Sequence, residues 1–313
     1  MSVDAENIYI HNLNGTNGQD VEGFNVVSRA GGHYDVNINS ITLVNVHNTL
    51  GGVNGIIMSS GYPGTGGGTI TANITNATVH DVTSSSIAAP FASFAAASSG
   101  NATTTTTINN ITITGTRGTT GSGLTAGLKT AAFYAAGLGG GPSDVATVNI
   151  TVSNSLMADN LNDSTSSNCS FGDMTSNVSG SGTVNGTITS AGYNISDDDS
   201  CSDFNQPGDQ QNINSIISTL GPLQNNGGLV PTRALLEGSP AISAGSSVLG
   251  ITTDARGVAR PNTCPSVGAF QFEGAVCSAS TPSASAGNAG APNTGIGSAS
   301  MTLTTLASLV GLA

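Results

Sequence analysis

The chain has 313 residues, a net charge of −12, 8% charged residues, 43 glycines and no tryptophan. Its six basic residues form no cluster able to neutralise phosphates, which excludes nucleic acid as a partner. Long helices with Glu/Lys-rich outer faces are excluded too, whereas abundant Thr, Val, Ile and Asn-Gly favour strands and turns.

The opening stretch MSVDAENIYIHNLNG has neither a basic n-region nor an apolar h-region, so it is no signal peptide. Other features point outside the cell, and a signal and capping segment are therefore expected upstream. Five segments then align: NIYIHN (7–12), SITLVN (40–45), NATVHD (76–81), NITITG (110–115) and NITVSN (149–154). They start 33, 36, 34 and 39 residues apart, a period typical of a solenoid. One column holds Ile8, Ile41, Ala77, Ile111 and Ile150; two residues on come Ile10, Leu43, Val79, Ile113 and Val152. Period-two alternation points both columns inward. Tyr9, Thr42, Thr78, Thr112 and Thr151 lie between them and are expected to face outward. The column Asn12, Asn45, Asp81, Gly115, Asn154 suits a ladder at a bend, with coils stacked about 4.8 Å apart.

Further apolar runs, GFNVVS (23–28), NGIIMS (54–59), SIAAPF (86–91) and KTAAFY (129–134), read as the other strands of each coil. The Gly-rich stretches 61–68 and 115–123 read as lateral loops. Eleven N-x-S/T sequons occur, and those at Asn76, Asn110 and Asn149 follow from the repeat itself. The pattern predicts an all-β chain built as a single-stranded parallel β-helix, with coils over residues 1–165. Such a solenoid exposes backbone edges at its ends and depends on caps.

All four cysteines, Cys169, Cys201, Cys264 and Cys277, fall in the second half, and none forms a C-x-x-C pair. Zinc is not indicated, because the four histidines all lie in the first 80 residues. Two disulfides in an oxidising compartment are expected. Three connectivities are open, and proximity in sequence favours Cys169–Cys201 and Cys264–Cys277.

The C-terminal half carries GYNISDDDSC (192–201), LGPLQNNGG (220–228), PTRALLEGSPAISAG (231–245), TDARGVARP (253–261) and VGAFQFE (267–273). In this order they resemble the C-terminal region of bacterial right-handed β-helix surface proteins of the choice-of-anchor Q type, and more loosely polymorphic outer-membrane-type β-helix proteins. The resemblance covers 169–273. It implies a right-handed helix, a secreted or surface-exposed protein and no known catalytic residues. Two departures stand out: Ser243 occupies a position usually held by Asp, and no cysteine precedes the TDARG stretch. Residues 166–277 are expected to form the last coils and a cap. The phrase 220–245 contains only Arg233 and Glu237 as charges, and Pro231, Pro240 and Asn225-Asn226-Gly227-Gly228 punctuate it. It is expected to be the closing coil or coils.

Residues 278–295 are uncharged and rich in Ser, Ala, Gly and Pro, as in a flexible, low-complexity linker. Ala291-Pro292-Asn293-Thr294-Gly295 resembles a sortase sorting signal with Ala in place of Leu, which would make Thr294 the attachment point. The apolar segment 296–313 follows, without the basic tail of that family and barely of spanning length.

Glycoside hydrolysis needs an acid facing a base or nucleophile, about 5–9.5 Å apart. The aligned columns offer one carboxylate, Asp81, while His11 and His80 share a column interrupted by Val44. A lyase needs clustered carboxylates for Ca²⁺ beside a basic residue. Between Arg29 and Arg233 the basic residues are Arg117 and Lys129, without an acidic cluster. Asp197-Asp198-Asp199, with Asp203, is the densest carboxylate run and is expected to be a solvated turn. No catalytic residue, metal or cofactor is therefore assigned. The favoured reading is a non-catalytic stalk, adhesin or binding surface outside the cell, held to the cell envelope by its tail, with a polysaccharide or host surface as partner. The alternative is a polysaccharide lyase or glycoside hydrolase, which three or more Asp, Glu, His or Lys converging in one groove would favour.

Overall fold

A computed structural model of the chain describes residues 1–61, 66–122 and 128–274. They lie in one unit, Met1–Cys277. The sorting-signal candidate Pro292, Asn293, Thr294 and Gly295, with the linker and apolar end, falls outside the described residues.

The chain is a parallel β-solenoid of about five turns. Coil 1 runs through strands Ser2–Gly15 and Val21–Ser28, and coil 2 through His33–Asn48 and Val53–Ser60. Coil 3 comprises Thr69–Thr75, Thr78–Ser84 and Ala88–Ala97, and coil 4 Ala102–Asn109, Thr112–Gly118 and Phe133–Gly139. Coil 5 begins with Val145–Ser153 and Leu156–Ala158 and ends at Cys169–Asp173. Thr183–Gly192 and Ile195–Ser196 start a sixth. Each strand pairs in parallel with its equivalents one coil away, forming a long bent sheet and a five-stranded sheet.

Two residues per coil bend the long sheet. Asn7, Ser40, Asn76, Asn110, Asn154 and Tyr193 all have left-handed backbone, and so do Asn12, Asn45, Asp81, Gly115 and Asp159. Asn, Asp and Gly tolerate this conformation best. In coils 1 to 5 four residues lie between the two bends, and their alternation sends Ile41 and Leu43 inward, then Ala77 and Val79, then Ile111 and Ile113, all fully buried. Ile8 and Ile10 pack against the same core from coil 1.

The fifth repeat differs from expectation. Thr112 pairs with Leu156 and Ile113 with Met157, so the counterpart of 110–115 is 154–159. Ile150 and Val152 are buried, but they stand beside Thr106 and Ile108 on the preceding face. Any strand with an inward Ile/Val alternation mimics the motif, and a longer coil 4 shifted the true bend by five residues.

The phrase 220–245 and its continuation to 272 do not close the solenoid as a coil. Leu220–Gln224 pairs only with Thr232–Leu235, antiparallel. The segment runs as a strap across the outside of the coils. Thr42 Oγ1 donates to Pro231 O at 2.7 Å, Asn76 Nδ2 to Thr253 O at 3.1 Å, and the Ala269 amide to Thr112 Oγ1 at 3.0 Å. Asn154 Oδ1 accepts from the Ser246 amide at 2.8 Å. Leu220, Leu235, Ala241, Val267 and Phe270 bury themselves against Leu156, Ala158 and Ile195. Prolines and hairpin turns deny this segment a place in a parallel ladder, so its apolar side chains seek the flank. Thr42, Thr78 and Thr112 do point away from the core, yet the strap leaves them at most 2% exposed.

The Cys169–Cys201 disulfide is present. Cys277, the expected partner of Cys264, lies outside the described residues. No helix among the described residues is long and apolar enough to cross a membrane.

Candidate binding grooves

The outer face of the five-stranded sheet forms the first groove, of about 440 Å³. Register aligns Asn25, Ile57, Ala92 and Tyr134 in one column and Val27, Ser59 and Phe94 in the next. Inward neighbours such as Phe91 and Phe133 belong to the core, so alternation places Tyr134 and Phe94 on the outside. The lining runs from coil 1 to Met174 in coil 5, a span of about 19 Å at about 4.8 Å per coil. One end carries Asp20, Glu22 and Arg29. Asp20 Oδ1 accepts from the Gly52 amide at 2.8 Å, and Glu22 takes the Asn25 amide. Burial raises the Tyr134 phenol above its ordinary value, with Asp20's charge adding to it. The phenol is therefore a neutral donor at physiological pH. An apolar floor rimmed by amides and carboxylates suits a sugar ring, which presents C–H faces and equatorial hydroxyls.

A second groove, of about 800 Å³, separates the long sheet from strap residues 248–253. Amides dominate it: Asn37 Nδ2 donates to Asp4 Oδ1 at 2.8 Å, Asn73 Nδ2 to Asn37 Oδ1 at 3.2 Å, and Asn76 Nδ2 to Asn39 Oδ1 at 3.0 Å. The Asn37 amide, then the Ser2 hydroxyl, hold the Asp4 carboxyl below its usual range. Neither groove joins three residues of the Asp, Glu, His and Lys set.

The titratable groups gather instead along the second bend. His47 Nε2 lies 3.4 Å from Asp81 Oδ2, and Arg117 Nη2 lies 2.6 Å from Asp159 Oδ1. His80 Nδ1 is 2.9 Å from Thr114 Oγ1. Its pKa is lowered, first by burial and then by Arg233 on the strap. His11 is exposed and stacks on Tyr9 in coil 1, with Val44 between it and His80 in register. Lys129 is exposed. Asp159 lies five residues beyond the end of the repeat expected at 149–154, and its sequence signal is the Asn154-x₄-Asp159 spacing, which repeats Asn76-x₄-Asp81.

The Asp197-Asp198-Asp199 run is not a solvated turn. Asp198 is buried and accepts from the Asn168 amide at 3.0 Å, from Ser196 Oγ at 3.0 Å and from Ser200 Oγ at 3.0 Å. Asn168 Nδ2 also reaches Asp197 Oδ1 at 2.9 Å, and burial is the main cause that raises the Asp197 carboxyl. The run is a hydrogen-bonding hub tying the end of coil 5 to coil 6 beside the disulfide. Asp199 and Asp203 are exposed. Among the described residues no group of three or more His, Cys, Asp or Glu is placed to hold a metal. Asn76 and Asn110 are buried at bends, so their sequons serve the fold; Asn149 is half-exposed on the long sheet.

No family model matches the chain, and neither does a curated protein or a solved structure.

Proposed function

We propose that the protein is a secreted or surface-displayed β-helix that binds a linear polysaccharide without cleaving it. The observation that carries this reading is the axial groove of the five-stranded sheet, with its Tyr134/Phe94 floor and Asn25, Asn54 and Glu22 rim. A span of about 19 Å accommodates several sugar units in a row. Asp20 and Glu22, within a chain of net charge −12, disfavour polyuronates and favour neutral polymers. The Cys169–Cys201 disulfide supports an oxidising, extracellular compartment. The likeness of 169–273 to choice-of-anchor Q proteins supports display on the envelope, with attachment through Pro292-Asn293-Thr294-Gly295 and the tail.

The test is retention of the full chain on a panel of insoluble neutral glucans, xylans and mannans, beside pectin and alginate. Asn54→Trp fills the groove without removing a core side chain and is expected to abolish retention. Failure to bind any neutral polymer, or unchanged binding by Asn54→Trp, overturns the proposal.

One observation favours the enzymatic alternative. Asp81 and Asp159 occupy one bend column two coils apart, about 9.6 Å by coil spacing, near the separation of an inverting carboxylate pair. Each is already engaged, by His47 and Arg117. Release of reducing ends that Asp81→Asn abolishes would establish this second reading.

A further inference from the structure

The first face of the long sheet carries a grid that the Tyr134 groove does not use, and only its Asn73 and Thr107 column borders the second groove. Thr69, Thr103 and Thr147 stand in register across coils 3, 4 and 5. Two residues on, Thr71, Thr105 and Asn149 form the next column, and Asn73, Thr107 and Thr151 the third. Thr187 and Thr189 extend the last two columns into coil 6. All are exposed or half-exposed, while Ile70, Ala72, Ala146, Val148 and Ile150 between them are fully buried.

Three properties set this face apart. It is a two-dimensional lattice of about 4.8 Å between coils by about 6.6 Å along each strand. It carries no charged side chain from coil 3 onward in a chain of net charge −12, whereas coils 1 and 2 place Asp4, His33 and Asp35 in the same columns. It holds no aromatic ring on which a sugar could stack. Threonine is stiff at χ1, so each Thr of the grid offers one hydroxyl and one methyl in a nearly fixed place, and Asn73 and Asn149 offer amides. Hydrogen bonds along the columns, such as Asn73 Nδ2 to Asn37 Oδ1 at 3.2 Å and Thr151 Oγ1 with Thr189 Oγ1 at 3.5 Å, tie neighbours together. A soluble chain molecule needs no order in two dimensions, and a crystalline partner does. The spacing of about 4.8 Å between coils is near one of the two repeats of water oxygens on a prism face of hexagonal ice, and the spacing of about 6.6 Å along the strand is shorter than the other.

We infer that the Thr/Asn grid of coils 3 to 6 is an ice-binding surface. Hydroxyls hold waters in register through hydrogen bonds that cost little ordering, because the side chains are already fixed. Methyl groups fill the spaces between, and the absence of charge avoids the tightly held hydration shells that disrupt an ice lattice. The face lies apart from the Tyr134 groove, so the two proposals succeed or fail separately.

The experiment is thermal hysteresis by nanolitre osmometry on the full chain, with partition of the protein into slowly grown ice. Faceted crystals, a measurable gap between melting and freezing, and enrichment in the ice are expected. Thr105→Tyr and Thr151→Tyr, each placing a bulky ring on the grid, are expected to lose all three, with unchanged melting by circular dichroism. Asn17→Tyr, in an exposed turn, is expected to retain them. Exclusion of the full chain from ice, with no hysteresis above that of an inert carrier protein, overturns the inference. Full activity in both grid variants overturns it as well.

Discussion

Replacing Arg260 by Met tests the strap most directly. The side chain is 7% exposed and donates to four acceptors: Gly268 O at 2.7 Å, Ser266 O at 2.9 Å, Asn76 Oδ1 at 3.2 Å and Thr253 O at 3.3 Å. Three belong to the strap and one to coil 3. Burial pulls the guanidinium from 12.5 down to about 10, so it stays charged at neutral pH at a desolvation cost of roughly 3 kcal/mol. Methionine removes that cost and fills much of the volume. It also orphans three buried acceptors, Gly268 O, Ser266 O and Asn76 Oδ1, at roughly 1–3 kcal/mol each, while Thr253 O keeps the Asn76 amide. Taking about 1.5 kcal/mol per acceptor, the loss exceeds the gain by about 1.5 kcal/mol. Urea unfolding should show that loss, and limited proteolysis should cut within 220–272 before the coils. A change below about 0.5 kcal/mol, the scatter of ordinary surface substitutions, would refute the account.

Ile111→Asp places a carboxylate in the inner core and should destabilise the fold by more than about 4 kcal/mol, seen as loss of cooperative thermal unfolding. Reducing the Cys169–Cys201 bridge, which closes a separation of 32 residues, should cost about 4 kcal/mol by loop entropy, read in denaturant with and without reductant. His80 titrates below its ordinary 6.5 when folded, so the unfolded chain binds more protons as pH falls through that value. Stability should therefore decline on acidification from about pH 7. His80→Gln should flatten that slope, which pH-dependent melting would reveal.

The inner columns could be read because Ile8, Ile41 and Ile111 repeat in sequence the contact they make in space. Coil 5 could not be registered the same way, since Ile150 and Val152 obey the same alternation one face earlier. The strap was hidden for a different reason. Thr42 and Pro231 lie 189 residues apart, and a segment without period carries no mark of where it docks. Its burial of the Thr column, and its placing of Arg233 beside His80, could not follow from composition. The groove was equally hidden. Tyr134 and Glu22 share it only because coils 2 and 3 stack between them, and KTAAFY reads simply as apolar. Ser243 shows the converse: it has left-handed backbone, a conformation that Asp and Asn adopt more readily than Ser, and nothing in its sequence surroundings marks that bend.

The strap also fixes how many repeats the molecule can have. A solenoid in which each coil touches only its neighbours can gain or lose a coil at little cost to the rest. Here Pro231 meets coil 2, Arg260 coil 3, Ala269 coil 4 and Ser246 coil 5. Inserting one coil would move its far side by about 4.8 Å, and a strap of unchanged length would then meet the wrong partners beyond that point. Extended chain advances about 3.3 Å per residue, and the strap passes from coil 2 to coil 5, back to coil 3 and on to coil 4, so an added coil demands one or two further residues in every pass that spans it. The strap acts as a ruler laid along the stack, and repeat number and strap length must change together.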